Sequence, residues 1–213
     1  MINPFQNIST KNQKKLLWLL ESKTRHFTEN MSVLEDYIDE RIIGIVKAGR
    51  VQIQRTTNTG NTSIIEEIGP YEIFSTNINL YGDEIDAICV EEADIILIDY
   101  DYIIENINND KQYFNQFIKN LFMIINDKII EKNERIEILS KKSIRNKLLT
   151  FFDLEYKKRG SKYIYLPYNF KDLAEYLAID RAAMSRELGY LRDEGFIETK
   201  SKRITLLNQR YNR

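Results

Sequence analysis

The sequence predicts an α+β fold in which a β-roll, one long helix and a winged helix-turn-helix follow one another along the chain. Three observations predict it. Short β-rich segments separated by turn residues run from Arg25 to about Tyr100. Apolar residues then recur at helical spacing, and the last third holds two short helical patterns followed by a hairpin pattern. We therefore expect the roll over residues 1–110, the long helix over 111–139 and the helix-turn-helix domain over 140–213.

The first part begins with a helix and continues as short strands. Ser9 or Thr10 is predicted to cap a helix that runs to about Glu21, because hydroxyl side chains accept hydrogen bonds from the unpaired N–H groups of a first turn. The stretch Val51–Gln54 alternates apolar and polar residues, as a half-buried strand does. Several short strands at this spacing are typical of an all-β barrel or roll. The predicted strands are 41–47, 51–56, 63–68, 85–90 and 95–100.

The long helix has an apolar stripe that is broader than one partner requires. Its apolar residues keep gaps of three, four or seven, and Phe117, Phe122 and Ile124 widen the stripe. At 1.5 Å per residue the helix is about 40 Å long. It is predicted to pack on the roll and on a second copy, as in a parallel coiled coil, although a helix packed only on its own domain is an alternative. The predicted dimer residues are Phe114, Ile118, Leu121, Ile125 and Ile129.

The C-terminal part predicts two short helices joined by a tight turn. A hinge at 140–143, a helix over 144–158 and an extended segment over 163–167 precede them. Asp180 is a good N-cap for the second helix, and Gly195 ends it. This arrangement is typical of a helix-turn-helix. The residues predicted to face inward are Leu173, Ala174 and Leu177 on the first helix and Met184, Leu188 and Leu191 on the second.

The outward face of the second helix predicts DNA binding. Arg181, Ala182, Ser185 and Arg186 share the face opposite the apolar one. Arg181 lies in the first turn, which is the part of a recognition helix that reaches base edges. Arginine pairs bidentately with guanine, and serine can bind a base or a phosphate. The alternative is an ordinary amphipathic helix pair whose charged face is only solvated.

A hairpin pattern follows the second helix. Residues 196–199 and 203–207 alternate, and the basic turn 200–202 separates them. A hairpin with a basic tip beside the second helix is the shape of a winged helix, and its cations would contact phosphates and fix register. The predicted DNA contacts outside the second helix are Lys171, Lys202 and Arg203.

Composition and charge are consistent with a cytoplasmic DNA-binding protein. The chain has 213 residues, 43% hydrophobic and 30% charged, and no apolar run reaches 18 residues, so we expect folded domains and no membrane span. No signal-peptide pattern is present at the N-terminus. One cysteine, Cys89, excludes an internal disulfide. The net charge is −1, but residues 141–213 are rich in Lys and Arg whereas residues 29–110 are acidic.

The order of these parts resembles the Crp/Fnr family of bacterial transcription regulators. The most specific stretches are 170–177, 180–188 and 191–197, and in the roll 43–51 and 95–99 are similar to the family's strands. The resemblance implies a cyclic-nucleotide-binding-like β-roll, a homodimer, a near-palindromic double-stranded DNA site, and recruitment or blocking of RNA polymerase. It leaves open whether an unidentified small-molecule effector binds the roll.

The resemblance also implies roles for single residues. Arg181, Ser185 and Arg186 match the family's base- and phosphate-contacting positions. Many members have a glutamate that reads cytosine where this chain has Ala182. Alanine accepts no hydrogen bond and can only touch a thymine methyl group, so the operator is expected to depart from the commonest family sequence.

The cyclic-nucleotide site of the family is not expected in this chain. Members that bind cyclic nucleotides have a Gly-Glu pair for the ribose and an Arg-Ser or Arg-Thr pair for the phosphate. The corresponding run here is 69–76, with Ser75-Thr76 in place of Gly-Glu, and the later pair falls at about Ile85-Asp86. An aspartate would repel a phosphate, and no arginine occurs between Arg55 and Arg135.

No catalytic or metal site is predicted. One histidine, His26, and one cysteine leave no constellation to which catalytic roles could be given, and we expect no enzyme activity, metal or cofactor. Cys89 is interpreted as core and His26 as a surface or hydrogen-bonded histidine. Two alternatives to a transcription regulator stay open: a small-molecule-sensing signalling module whose DNA binding is secondary, and an enzyme or structural adaptor.

Overall fold

The computed structural model describes residues 2–37, 41–75, 84–166, 169–200 and 203–207 and divides into two compact units, Met1–Ile125 and Asn126–Arg213. The boundary between the units lies within the long helix, and the predicted three-part division of the chain stays a prediction. Among the described residues, no helix is both long enough and apolar enough to span a bilayer.

The first unit is a roll with helices on one side. Its elements are α1 (Thr10–Leu19), β1 (Lys23–Phe27), a 3-10 turn (Glu35–Tyr37), β2 (Ile42–Ala48), β3 (Val51–Thr56), β4 (Thr62–Ile68), β5 (Ile73–Ser75), β6 (Glu84–Cys89), β7 (Ala93–Asp99), α2 (Tyr100–Glu105) and the first half of α3 (Gln112–Leu139). Two antiparallel sheets form it, with strand orders β1-β7-β2-β5 and β4-β3-β6. The five predicted strands are all present.

The second unit contains the predicted helix-turn-helix and wing. Its elements are the second half of α3, α4 (Ile144–Arg159), β8 (Tyr163–Tyr165), α5 (Phe170–Tyr176), α6 (Arg181–Asp193), β9 (Ile197–Lys200) and β10 (Arg203–Leu206). The last two strands pair antiparallel, and β8 pairs with β10 on its other side. The predicted α+β architecture is therefore confirmed.

Successive apolar residues of the first sheet point alternately to its two faces, and each face packs in a different core. On β7, Ile95 and Leu97 point into the core between the two sheets, whereas Ile96 and Ile98 belong to a second core outside the first sheet. Phe74 enters the inner core over Gly44, where an added Cβ would lie 2.2 Å from the ring. A glycine at position 44 is therefore required by the close approach of this ring.

The second core joins α1 and the start of α3 to the outer face of the first sheet. Leu16 of α1 and Leu20, which caps the C-terminus of that helix, are fully buried there, as is Phe117 of α3. Asn120 is buried beside them, and its Nδ2 donates to the carbonyl oxygens of Pro4 at 2.9 Å and Gln6 at 2.8 Å. These bonds fix the N-terminal segment on the long helix.

The apolar residues of α3 form two separate stripes. One stripe is buried within the first unit and consists of Phe114, Phe117, Leu121 and Ile124. The other is exposed on this single chain and keeps a four-three spacing; its members are Phe122, Ile125, Ile129, Ile136 and Leu139. Leu121 is only 7% exposed, whereas Ile129 is 53% exposed. Among the predicted dimer residues, Phe114 and Leu121 are therefore already covered by their own unit, Ile118 is half-buried against the same core, and Ile125 and Ile129 are exposed.

Candidate nucleic-acid interface

Helix α6 presents a polar, arginine-bearing face to solvent. The side chain of Asp180 caps the helix, since its Oδ1 accepts from the backbone N–H of Ala183 at 2.8 Å. The inward residues of α6 are buried as the sequence predicts: Met184, Leu188 and Leu191. Arg181, Ala182, Ser185 and Arg186 are all exposed. The fold thus brings the four predicted recognition residues together on one solvent-facing helix.

The turn before α6 is held by a lysine from α4. Ala178 lies in the left-handed region at φ +49°, which lets the chain reverse between α5 and α6. The Nζ of Lys147 donates to the carbonyl oxygens of Leu177 at 3.0 Å and Ala178 at 3.2 Å. The positive charge of Lys147 at these carbonyls also interacts favourably with the negative C-terminal end of the α5 dipole. The orientation of the second helix relative to the first therefore depends on α4.

A second side chain of α4 holds the other end of α6. Arg145 Nη1 donates to Glu187 Oε1 at 3.3 Å and to Glu194 Oε1 at 2.9 Å, and its guanidinium lies 5.2 Å from the ring centre of Phe196. The hydrogen bond from Arg145 lowers the pKa of the Glu194 carboxyl below its ordinary value. Neither Arg145 nor Lys147 was selected from the sequence, because their partners lie 30 or more residues away and no local pattern marks them.

The predicted contacts outside α6 lie in different settings. Lys171 is exposed on α5, with its Nζ 3.9 Å from Glu175 Oε1. Arg203 is half-buried, its guanidinium lies 5.7 Å from the ring centre of Tyr163, and its Nε has no hydrogen-bond partner among the described residues. Lys202 lies outside the described residues. Arg203 directly precedes buried Ile204 on β10, so the two side chains lie on opposite faces of the sheet.

A cleft of about 340 Å³ separates α6 from β9. Arg181, Ser185 and Arg192 line it from α6, and Thr199 lines it from β9. Thr199 pairs with buried Ile204, so it lies on the sheet face that packs toward the helices. The cleft is therefore part of the same surface as the predicted recognition residues.

The C-terminal domain matches a known family model. Residues 146–211 match the model described as the Crp-like helix-turn-helix domain. These residues form a Crp-like helix-turn-helix domain. The match covers α5, α6 and the wing, which are the parts that the resemblance in sequence predicted. No curated protein sequence matches the chain significantly.

Several solved structures share the fold along nearly the whole chain. CprK complexed with OCPA has a TM-score of 0.63 at 16% identity, covering 92% of each chain. A CooA mutant from Carboxydothermus hydrogenoformans has a TM-score of 0.56 at 18% identity, covering 98% of this chain and 97% of that one. The Thermus thermophilus Catabolite Activator Protein has a TM-score of 0.50 at 17% identity, covering 95% of this chain and 92% of that one. The chain therefore has the fold of these solved structures and contains a Crp-like helix-turn-helix domain.

In the roll, acidic side chains occur in the two stretches that the sequence resemblance aligned with the family's nucleotide-binding pairs. Asp86 is half-buried and its Oδ1 accepts from Ser32 Oγ at 2.6 Å and from the Ala87 N–H at 2.7 Å. Glu72 Oε2 accepts from the Gly69 N–H at 2.6 Å. Thr76 lies outside the described residues. The described side chains in these two stretches thus present carboxylates that already bind donors of their own chain.

His26 and Cys89 occupy settings that agree with their interpretation from sequence. The Nδ1 of His26 lies 3.0 Å from Asp94 Oδ1, its cross-strand neighbour, and both side chains are exposed. No cluster of three or more His, Cys, Asp or Glu residues able to hold a metal ion occurs within the described part of the chain. Cys89 is fully buried in the inner core of the roll.

Burial should make Cys89 unreactive in the folded protein. Desolvation raises the pKa of its thiol to about 11, so almost no thiolate is present at pH 8. We expect a colourimetric thiol reagent to modify the native protein at least tenfold more slowly than the urea-unfolded protein, because only the thiolate attacks. Equal rates in the two states would show that the core of the roll opens readily around this residue.

Proposed function

We propose that this protein is a dimeric, sequence-specific transcription regulator of the Crp/Fnr type that binds a near-palindromic DNA operator and acts in the cytoplasm. The observation on which the proposal rests is the Crp-like helix-turn-helix domain whose second helix exposes Arg181, Ser185 and Arg186. In this role Arg181 and Arg186 contact base edges, Ser185 contacts a base or a phosphate, and Ala182 touches a thymine methyl group. Lys171, Lys202 and Arg203 are proposed as backbone contacts, and RNA polymerase as the protein partner.

The exposed stripe of α3 supports the dimer. Phe122, Ile125 and Ile129 lie on one face of the helix, and the four-three spacing of the stripe is that of a coiled-coil seam. A patch of this kind on a chain is typical of a protein interface. In a two-fold dimer the two recognition helices would read half-sites about 34 Å apart, which is one turn of DNA.

The roll is proposed as an effector domain without a cyclic-nucleotide site. CprK, which has a similar fold, is complexed with OCPA in its solved structure. In this chain the family's arginine is absent and Asp86 stands near its place. The effector proposed here is therefore a small molecule that is not recognised through an arginine–phosphate pair.

We predict that cyclic AMP and cyclic GMP do not bind at micromolar concentration. A buried phosphate needs a paired cation or several N–H donors, and the stretch around Ile85-Asp86 offers an acid instead. Losing that cation should cost a few kcal/mol, which moves a micromolar site toward millimolar. Calorimetric titration with millimolar cyclic nucleotide, with DNA binding measured in parallel, checks this. Micromolar affinity, or a tenfold gain in operator binding, would contradict it.

Selection of bound duplexes from a random DNA pool tests the proposed function. The purified protein is used with and without cell extract, so that an effector requirement is detected in the same experiment. Enrichment of an inverted repeat is expected. If DNA has no effect on the protein while a small molecule raises its melting temperature, the alternative of a signalling module is favoured instead.

A further inference from the structure

The cleft between α6 and β9 has a positive lining. Arg181 and Arg192 lie eleven residues, or about three turns, apart along one face of α6, and both line the cleft. Ser185 lies between them, and Thr199 lines the cleft from β9. None of the described residues that line the cleft is acidic. In a chain whose net charge is −1, this is a local surplus of positive charge.

The surplus is not a general property of the second unit. A groove of about 250 Å³ formed by α3, α4 and α5 is lined by four carboxylates, those of Asp127, Glu131, Glu134 and Glu155, and by one lysine, Lys158. Arg192 has an acidic neighbour outside the lining of the cleft, since Asp193 Oδ1 lies 3.3 Å from Arg192 Nε. Both side chains of that pair are largely exposed, so the pair holds Arg192 only weakly. The cleft therefore favours an anion.

The length of α6 determines where Arg192 would lie if the helix enters a major groove as proposed. The helix has 13 residues and is about 20 Å long, whereas the major groove is about 12 Å wide. When the first turn, with Arg181, reaches the bases, the last turn extends beyond the edge of the groove. Arg192 lies in that last turn. It is then next to sugar and phosphate groups rather than base edges.

We infer that this cleft seats a phosphate of the DNA backbone, with Arg192 as its cation and the Thr199 hydroxyl as a second donor. The inference rests on the proposed function and adds to it a contact that supplies affinity and register without reading sequence. Arginine forms paired hydrogen bonds with phosphate oxygens. Arg181 and Arg186 remain the residues proposed to read bases.

Gly189 keeps the cleft open. A Cβ built on Gly189 meets no atom within 4 Å, so internal packing does not require glycine there. Glycine in the middle of a helix is also less favourable than alanine or leucine. Gly189→Leu should therefore fill part of the cleft while leaving the melting temperature equal or higher. A backbone phosphate that needs this space would then bind less well.

Salt dependence of DNA binding tests the inference. Affinity for the selected operator and for a random duplex is measured from 50 to 200 mM salt for the wild type and for Arg192→Gln. Removing one phosphate contact should lower the slope of log K against log salt by about 0.9, so that the loss of affinity over this range becomes about threefold smaller. Arg192→Gln should weaken both duplexes by the same factor, and Gly189→Leu should also weaken both.

Lys157→Gln is the matched control, because it removes the same charge from an exposed residue of the same unit that does not line the cleft. Its slope should equal that of the wild type. An unchanged salt slope for Arg192→Gln, or undiminished DNA binding by Gly189→Leu, would overturn the inference. The proposed function would still be supported in that case if the wild type selects an operator. A changed operator preference in Arg192→Gln would make it a base reader and would also overturn it. A wild type that selects no DNA would overturn both.

Discussion

Ile129→Glu is expected to convert the protein from dimers to monomers at micromolar concentration. Ile129 is exposed on the single chain and lies in the middle of the stripe that contains Phe122 and Ile125. In a two-fold dimer the substitution buries two carboxylates in an apolar seam, and each buried ion costs several kcal/mol. Sedimentation or light scattering gives the mass directly. The wild type should sediment as a dimer and the variant as a monomer with the same circular dichroism.

Met123→Glu provides the control for this result. Met123 is 41% exposed on the same helix but lies about 120° away from the seam, so the substitution adds the same charge without entering the interface. It should stay dimeric. Leu121→Glu would be a poor probe, because Leu121 packs in the core of its own unit and the variant could unfold. A wild type that is monomeric at micromolar concentration would contradict the proposed dimer.

Arg186→Ala and Arg181→Ala are each expected to cost about 1–3 kcal/mol on the preferred operator if they contact bases. This corresponds to a loss of affinity of about fivefold to 150-fold. Binding to random duplexes should change much less, so the ratio of specific to non-specific affinity falls. A mobility-shift titration on operator and random DNA measures both quantities.

Lys171→Ala gives the contrasting result for a backbone contact. It should weaken binding to all sequences alike and reduce the salt slope by about one unit. The arginine variants and this lysine variant change the same kind of charge, so they separate base reading from general electrostatics. Arginine variants that keep the full operator preference would show that α6 does not read the site through this face.

The helix-turn-helix could be predicted closely because its signals are local. Asp180 as N-cap, Gly195 after the second helix and the inward apolar residues all lie within one short stretch, and the structure has each of them in the predicted place. The wing was predicted from a local pattern too, since residues 196–199 and 203–207 alternate in sequence and the paired strands are 197–200 and 203–206.

Elements whose formation depends on residues far away in the chain were not predicted from the sequence. The strand β1 is mostly polar in sequence and forms because it pairs with β7, about 70 residues later. The short strand β5 contains only three residues and is defined by its pairing with β2. Tyr100 was predicted to end a strand, but the capping side chain of Asp99 starts α2 there. The hydrogen bonds from Arg145 and Lys147 to the recognition helix and its turn likewise cross many residues.

The long helix shows how much a pattern can and cannot specify. Helical periodicity predicted its existence and its bounds, and α3 begins within one residue of the predicted start. Periodicity could not divide its apolar residues between two surfaces. Phe114 and Leu121 are buried within the first unit, whereas Phe122, which is 72% exposed, lies in the other stripe. Which apolar residues of α3 are buried depends on the tertiary contacts between the first half of the helix and the roll.

Hydroxyl-radical footprinting on the selected operator tests the central proposal most directly. A dimer that places two copies of α6 in successive major grooves should protect two backbone patches on one face of the duplex, with centres about 34 Å apart. Ile129→Glu should abolish the paired pattern, and Arg186→Ala should remove protection at concentrations where the wild type is saturated. A single protected patch, or protection that is the same on random DNA, would contradict a dimeric, sequence-specific regulator.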